Sequence, residues 1–124
     1  MLVASKQDHA ETLHLPGRDW ALLLGPTVGS VRNVTLGYST FPAGSAPAGH
    51  VHPNEEELIY VVAGCGRLVA PDSFVELEPG VAVYIAPGTQ HATVAYAGQN
   101  LELVTVFSPP VVPGSYEPAS GIEK

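Results

Sequence analysis

Apolar residues along this chain fall in short segments rich in Val, Ile, Leu, Tyr and Thr, cut at close intervals by Gly and Pro. No segment sustains a helical apolar period, so no substantial helix is expected. The pattern predicts strands near 10–15, 19–24, 31–41, 48–52, 56–63, 66–70, 73–77, 81–86, 91–97 and 101–108. "PAGSAPAG" (42–49), "EPG" (78–80) and "APG" (86–88) supply turn chemistry between them. Many short strands with regular turns imply an all-β sandwich or barrel. There is no internal repeat, and the length suits one domain over 1–124, with N-terminal strands within 1–33. The last stretch, 110–124, is rich in Pro, Gly and Ser and is expected to be extended or loosely ordered.

The 56–63 segment is apolar on both faces. Leu58, Tyr60 and Val62 share one parity, and Ile59, Val61 and Ala63 share the other with Glu57. A strand covered on both sides needs a barrel interior on one and another layer on the other. That second layer is expected to be the N-terminal strands or a second copy of the chain, hence a homodimer.

Charge narrows the partners. The net charge is −7 with only five Lys and Arg. Nucleic acids and anionic membranes, which call for clustered basic residues, are therefore not expected partners. A single cysteine, Cys65, excludes an internal disulfide framework and fits a reducing compartment. The N-terminal residues show no signal-peptide pattern and no apolar run is long enough to span a membrane, so a cytoplasmic location is expected.

Candidate chemistry gathers in "AGHVHPNEEELIYVVAG" (48–64). His50 and His52 sit two residues apart and project to one face of a strand. Glu57 opens the next strand, and His91 follows a Pro-Gly turn at the start of another, with Thr93 and Ala95 on its inward parity. Three imidazoles and one carboxylate at strand starts can converge inside a sandwich. Such nitrogen and oxygen donors suit one divalent transition-metal ion: Mn, Fe, Co, Ni, Cu or Zn. Each piece alone has a plainer reading, since a lone His-x-His is more often solvated and a lone buried histidine is more often a hydrogen-bonded core residue.

The spacing resembles the cupin superfamily. Its first motif, G-x5-H-x-H-x4-E-x6-G, is matched by Gly44, His50, His52, Glu57 and Gly64. Its second, G-x5-P-x-G-x2-H-x3-N, is matched by Gly80, Gly88 and His91, with Ala86 in the proline place, Pro87 beside it, and Ala95 in the asparagine place. The resemblance covers about 34–109 and implies a double-stranded β-helix, or jelly-roll β-barrel. It implies His50, His52, Glu57 and His91 as metal ligands. Glu56 is the competing carboxylate, but it leaves seven residues before Gly64 and falls on the opposite face. Glu55 and Glu56 are read as solvated charges at the strand entry.

The remaining residues take plainer readings. His9 and His14 are surface or structural, Cys65 fills a turn, Trp20 is a core or interface aromatic, and Tyr60 packs away from the metal by parity. The expected lining is apolar: Ile59, Val61, Thr93, Ala95 and one face of "LELVTVF" (101–107), including Phe107. Such a lining favours a small, weakly charged, oxygen-bearing ligand over a sugar phosphate, with Arg18, Arg32 and Arg67 on segments not assigned to the site. The expected function is a metal-dependent dioxygenase, lyase or isomerase, with a non-catalytic small-molecule sensor as the alternative.

Overall fold

The structure, a computed structural model, describes residues 1–111 and the backbone of 117–118. Eleven strands are described: β1 (Thr12–Leu15), β2 (Arg18–Leu24), β3 (Thr35–Phe41), β4 (His50–Val51), β5 (Glu56–Ala63), β6 (Gly66–Ala70), β7 (Ser73–Leu77), β8 (Ala82–Ile85), β9 (Ala92–Ala95), β10 (Leu101–Ser108) and β11 (Glu117–Pro118). The one helical segment among the described residues is a single 3₁₀ turn, Gln7–His9. No helix among these residues is long and apolar enough to cross a membrane. Most of the expected tail lies outside the described residues; Glu117–Pro118 pairs with β4.

The strands form two facing antiparallel layers of a jelly-roll barrel. One sheet runs β1-β2-β3-β10-β5-β8; the other has β7-β6-β9, with the β11-β4 pair joined to it through a bridge between His50 and His91. Alternation sets the inward face. In β10, Leu101, Leu103, Thr105 and Phe107 are buried, and in β5, Glu57, Ile59 and Val61 are buried. Leu58, Tyr60 and Val62 remain exposed on the outer face. The apolar core packs Phe41, Val61, Leu77, Leu101 and Leu103 between the layers, removing them from water.

The glycines of the motifs have backbone reasons. Gly80 and Gly88 take φ of 95° and 78° at the third position of turns closed by Val81 N donating to Glu78 O (3.1 Å) and Thr89 N donating to Ala86 O (3.2 Å). Proline before a positive-φ glycine is type II turn chemistry. Gly64, at φ 80°, also passes so close to Asn100 O that a Cβ would collide with it.

Candidate metal centre

The backbone brings the two motifs together before any side chain acts. His50 N donates to His91 O at 2.9 Å, and His91 N donates to His50 O at 3.0 Å. Gly88 N donates to His52 O at 2.9 Å, tying the Pro-Gly turn to the His-x-His segment. β5 supplies the fourth group, because Glu57 pairs with Phe107 of β10 and Ile85 of β8 and points inward.

One donor atom from each of His50, His52, Glu57 and His91 lies within 4.8 Å of the others. His52, Glu57 and His91 are buried, and His50 is partly buried. The His50 ring stands edge-on to both other imidazoles, with centroids 5.1 Å from His52 and 4.4 Å from His91. Phe107 packs against His52 at 4.9 Å and limits its tilt.

Protonation is largely dictated by the surroundings. His91 Nδ1 lies 2.9 Å from Thr89 O, an atom that only accepts, so Nδ1 carries a proton and donates it. In the neutral ring Nε2 then turns a lone pair inward. Burial, joined by the nearby His91, Arg18 and His52, pushes His50 down to about 2, so it is neutral at ordinary pH. Glu57 Oε1 stands 3.4 Å from His91 Nε2 and 3.8 Å from His52 Nε2. No hydrogen bond reaches this buried oxygen. An unsatisfied buried acceptor costs about 1–3 kcal/mol. A cation shared by the four donors would remove that cost and the crowding of lone pairs, so the residues present fit a divalent metal.

The cavity around this cluster is lined also by Ile59, Thr93, Thr105 and Phe107, which lie on the faces read as inward, and by Arg18, Trp20 and Ser39, which were not assigned to it. Val61 and Ala95 have inward parity but belong to the packed core and are not among the lining residues. Trp20 Nε1 donates to Thr105 Oγ1 at 3.0 Å. The ring lies against Gly37, where a side chain would collide with it. Alternation along β2 puts Arg18 and Trp20 on one face but does not say which strands that face meets.

Of the neighbouring carboxylates, Glu56 is exposed and accepts a hydrogen bond from Tyr84 OH at 2.7 Å. Glu55 corrects the expectation of a solvated charge. It is only partly exposed, and its Oε1 is 4.0 Å from His52 Nδ1. It precedes the first residue of β5, so strand parity does not turn it away. His9 and His14 are exposed, and His14 Nδ1 pairs with Asp19 Oδ1 at 2.6 Å. Cys65 is an exposed free thiol.

Residues 37–107 match the family model of the cupin domain. The chain belongs to the cupin family. An uncharacterized protein of Methanocaldococcus jannaschii is 27% identical to this cupin over 88 residues, 71% of this chain and 70% of that protein. The polyketide cyclase RemF of Streptomyces resistomycificus superposes with a TM-score of 0.79 at 22% identity, covering 99% of this chain and 89% of the cyclase. Ectoine synthase of P. lautus superposes with a TM-score of 0.82 at 15% identity, covering 99% and 94%. These two likenesses show a shared cupin fold.

Proposed function

We propose that this cupin is a metal-dependent enzyme, a dioxygenase, lyase or isomerase, acting on a small oxygenated compound at one divalent transition-metal ion held by His50, His52, Glu57 and His91. The observation that carries the proposal is the buried Glu57 oxygen, without a hydrogen-bond donor and facing two imidazole nitrogens inside a cavity. A divalent ion there supplies Lewis acidity and, if redox-active, electrons for O₂ chemistry. Three histidines and one carboxylate leave coordination positions open if the ion takes five or six ligands, as catalytic ions do.

The chain's own contributions follow from the lining. Ile59, Leu103 and Phe107 exclude water and shape the bound compound, while Ser39, Thr93 and Thr105 offer hydroxyls to its oxygens. The bond from His91 to Thr89 O fixes that imidazole's tautomer, as outer hydrogen bonds to metal-ligating histidines do. Among the described lining residues, the titratable side chains are the four candidate ligands and Arg18. The enzymatic names of two cupins of similar fold support catalysis over simple binding.

The protein is further proposed to be a single-domain, cytoplasmic homodimer. Leu58, Tyr60, Tyr84, Val104 and Val106 line a shallow apolar groove on the outer face, which supports a second copy as its cover.

Elemental analysis of wild-type protein and of His52→Ala, both purified without chelators or a nickel column, tests the metal assignment. Stoichiometric metal in the wild type alone is expected; equal content in both refutes it. Oxygen uptake during turnover selects the dioxygenase, and anaerobic turnover selects a lyase or isomerase. A ligand bound tightly by the metallated protein and never transformed replaces the enzyme with the sensor.

A further inference from the structure

We infer that the seam between β7 and β8 is a side entrance to the central cavity for a small uncharged apolar molecule of the size of dioxygen, with Leu68 and Ile85 as its inner gate. The existence of the entrance does not depend on the metal-site reading above; its use at a metal centre rests on that reading.

Three observations carry it. β7 ends one sheet and β8 ends the other, and a cavity of about 240 Å³ lies where these two edges meet. Its lining grades inward. Phe74, Val75 and Tyr84 at the rim are exposed, Ala70 and Val83 are half-buried, and Leu68, Ile85 and His91 at the base are buried. Those three base residues also line the cavity that holds His50, His52 and Glu57. The two cavities therefore share a wall of side chains, and His91 is part of it. Second, each aromatic ring of the rim has a partner outside the gap. The Arg67 guanidinium carbon lies 4.1 Å from the centroid of the Phe74 ring, and Arg67 Nε and Nη2 donate to Glu76 Oε1 at 2.9 and 2.6 Å. Across the seam, Tyr84 OH donates to Glu56 Oε1 at 2.7 Å. These bonds offset the gain from folding the rings into the gap. Third, no Lys, Arg, Asp or Glu is among the described residues of this lining.

The lining sets what can pass. A polar or charged solute sheds water at Leu68 and Ile85 without a side-chain partner there to replace it, which is costly. An apolar molecule loses little, and apolar cavities take up small uncharged species such as xenon. Rotamer changes at Leu68 and Ile85 suffice to open the shared wall, and packed side chains make them without movement of the backbone. The central cavity has another opening, marked by its half-buried lining residues Leu15, Arg18, His50 and Val111. A polar substrate seated from that side leaves the seam clear, so an apolar co-reactant keeps its own path to the His91 side of the centre. The plainer alternative is that the gap is packing slack between two sheet edges, closed at Leu68 and Ile85.

Trp20 is a reporter already in place. It is the chain's single tryptophan, is 4% exposed, and lines the central cavity and not the seam. Lifetime quenching of its fluorescence by dissolved dioxygen reads arrival in the central cavity, and acrylamide, a polar quencher, reads the other opening. Zinc-exchanged protein is used, so that no redox-active ion responds to the oxygen. Ala70→Phe puts a ring into the seam and leaves the lining of the central cavity unchanged. Its rate constant for quenching by dioxygen should fall by about threefold or more, because a raised barrier acts exponentially on a crossing rate. Its acrylamide constant should stay at the wild-type value. Leu68→Val thins the gate and should raise dioxygen quenching by about twofold on the same ground. Equal dioxygen quenching in wild type and Ala70→Phe overturns the inference. An equal fall with both quenchers also overturns it, because it puts the change at an opening they share. If Ala70→Phe does not fold, unchanged dioxygen quenching in Leu68→Val overturns it. None of these outcomes bears on the metal-site reading, which stands or falls on the metal content of His52→Ala.

Discussion

The two faces of β5 are built from the same kinds of residue and meet different surroundings. Inward lie Glu57, Ile59 and Val61; outward lie Glu56, Leu58, Tyr60 and Val62. Ile59 and Val61 are 4% and 1% exposed, whereas Leu58, Tyr60 and Val62 are 49%, 50% and 43% exposed. Hydrophobicity alone does not separate the faces. What separates them is the opposite layer: the inner face has a sheet packed on it, and the outer face has none among the described residues. The two adjacent glutamates divide in the same way. Glu57 is buried beside three imidazoles, and Glu56 reaches a tyrosine at the surface.

The largest break of this contrast should come from Glu57→Gln. An amide keeps the shape but loses the charge that balances a divalent ion, and its NH₂ group can donate to an imidazole lone pair that the ion would otherwise take. Metal affinity should fall by more than the roughly 10–100-fold that changes to outer partners of metal ligands typically cost. Competition with a chelator of known affinity measures it. Retained wild-type affinity would remove Glu57 from the ligand set.

Next in size is Tyr60→Glu. If a second copy covers the outer face, a charge in the middle of it should shift the protein to monomer, because buried tyrosines are frequent interface anchors worth about 2 kcal/mol or more. Sedimentation at micromolar concentration should give a dimer mass for wild type and half of it for the variant. A monomeric wild type would leave the outer face without the proposed cover.

Much of this organisation was legible from residue spacing, and the exceptions have common physical causes. The His-x-His pair, Glu57 and His91 stand at motif positions, and strand alternation separates Glu57 from Glu56. Alternation gives the face of a sheet but not the height along the barrel. Val61 and Ala95 therefore have the right parity and sit in the core instead of lining the cavity. Arg18 and Trp20 were missed because their place depends on which strands β2 meets. The bond from Trp20 to Thr105 spans 85 positions in the chain, and no local pattern announces such a pairing. Glu55 was misread because it lies outside the strand whose parity was being applied.

A milder test of the inner face is Ile59→Val. Removing one buried methylene should cost about 0.5–1.5 kcal/mol of stability, with the removed volume left as space inside the barrel. Leu58→Val, one residue away on the exposed face, should cost a monomer less than that. Denaturant unfolding of both variants, kept dilute enough to be monomeric, compares them directly. Equal losses would show that the outer face is covered within a single chain.

The smallest effect should be that of Glu56→Gln, and it sharpens the contrast most because it moves the Glu57 change by one residue. Glu56 is exposed, its parity turns it outward, and its visible partner is the Tyr84 hydroxyl. A glutamine carbonyl can accept the same hydrogen bond, so only a solvent-screened charge is lost. Tyr84 should respond more than the metal does. Its hydroxyl is held above the usual tyrosine range mainly by the bond to Glu56, and its titration should move back down when the carboxylate becomes an amide. Metal affinity should stay within about twofold of wild type, as for surface substitutions in general. Ultraviolet titration of the tyrosines and the same chelator competition read the two responses on one sample. Loss of metal in Glu56→Gln, with Glu57→Gln unaffected, would exchange the two carboxylates and, with them, the inside and outside of β5.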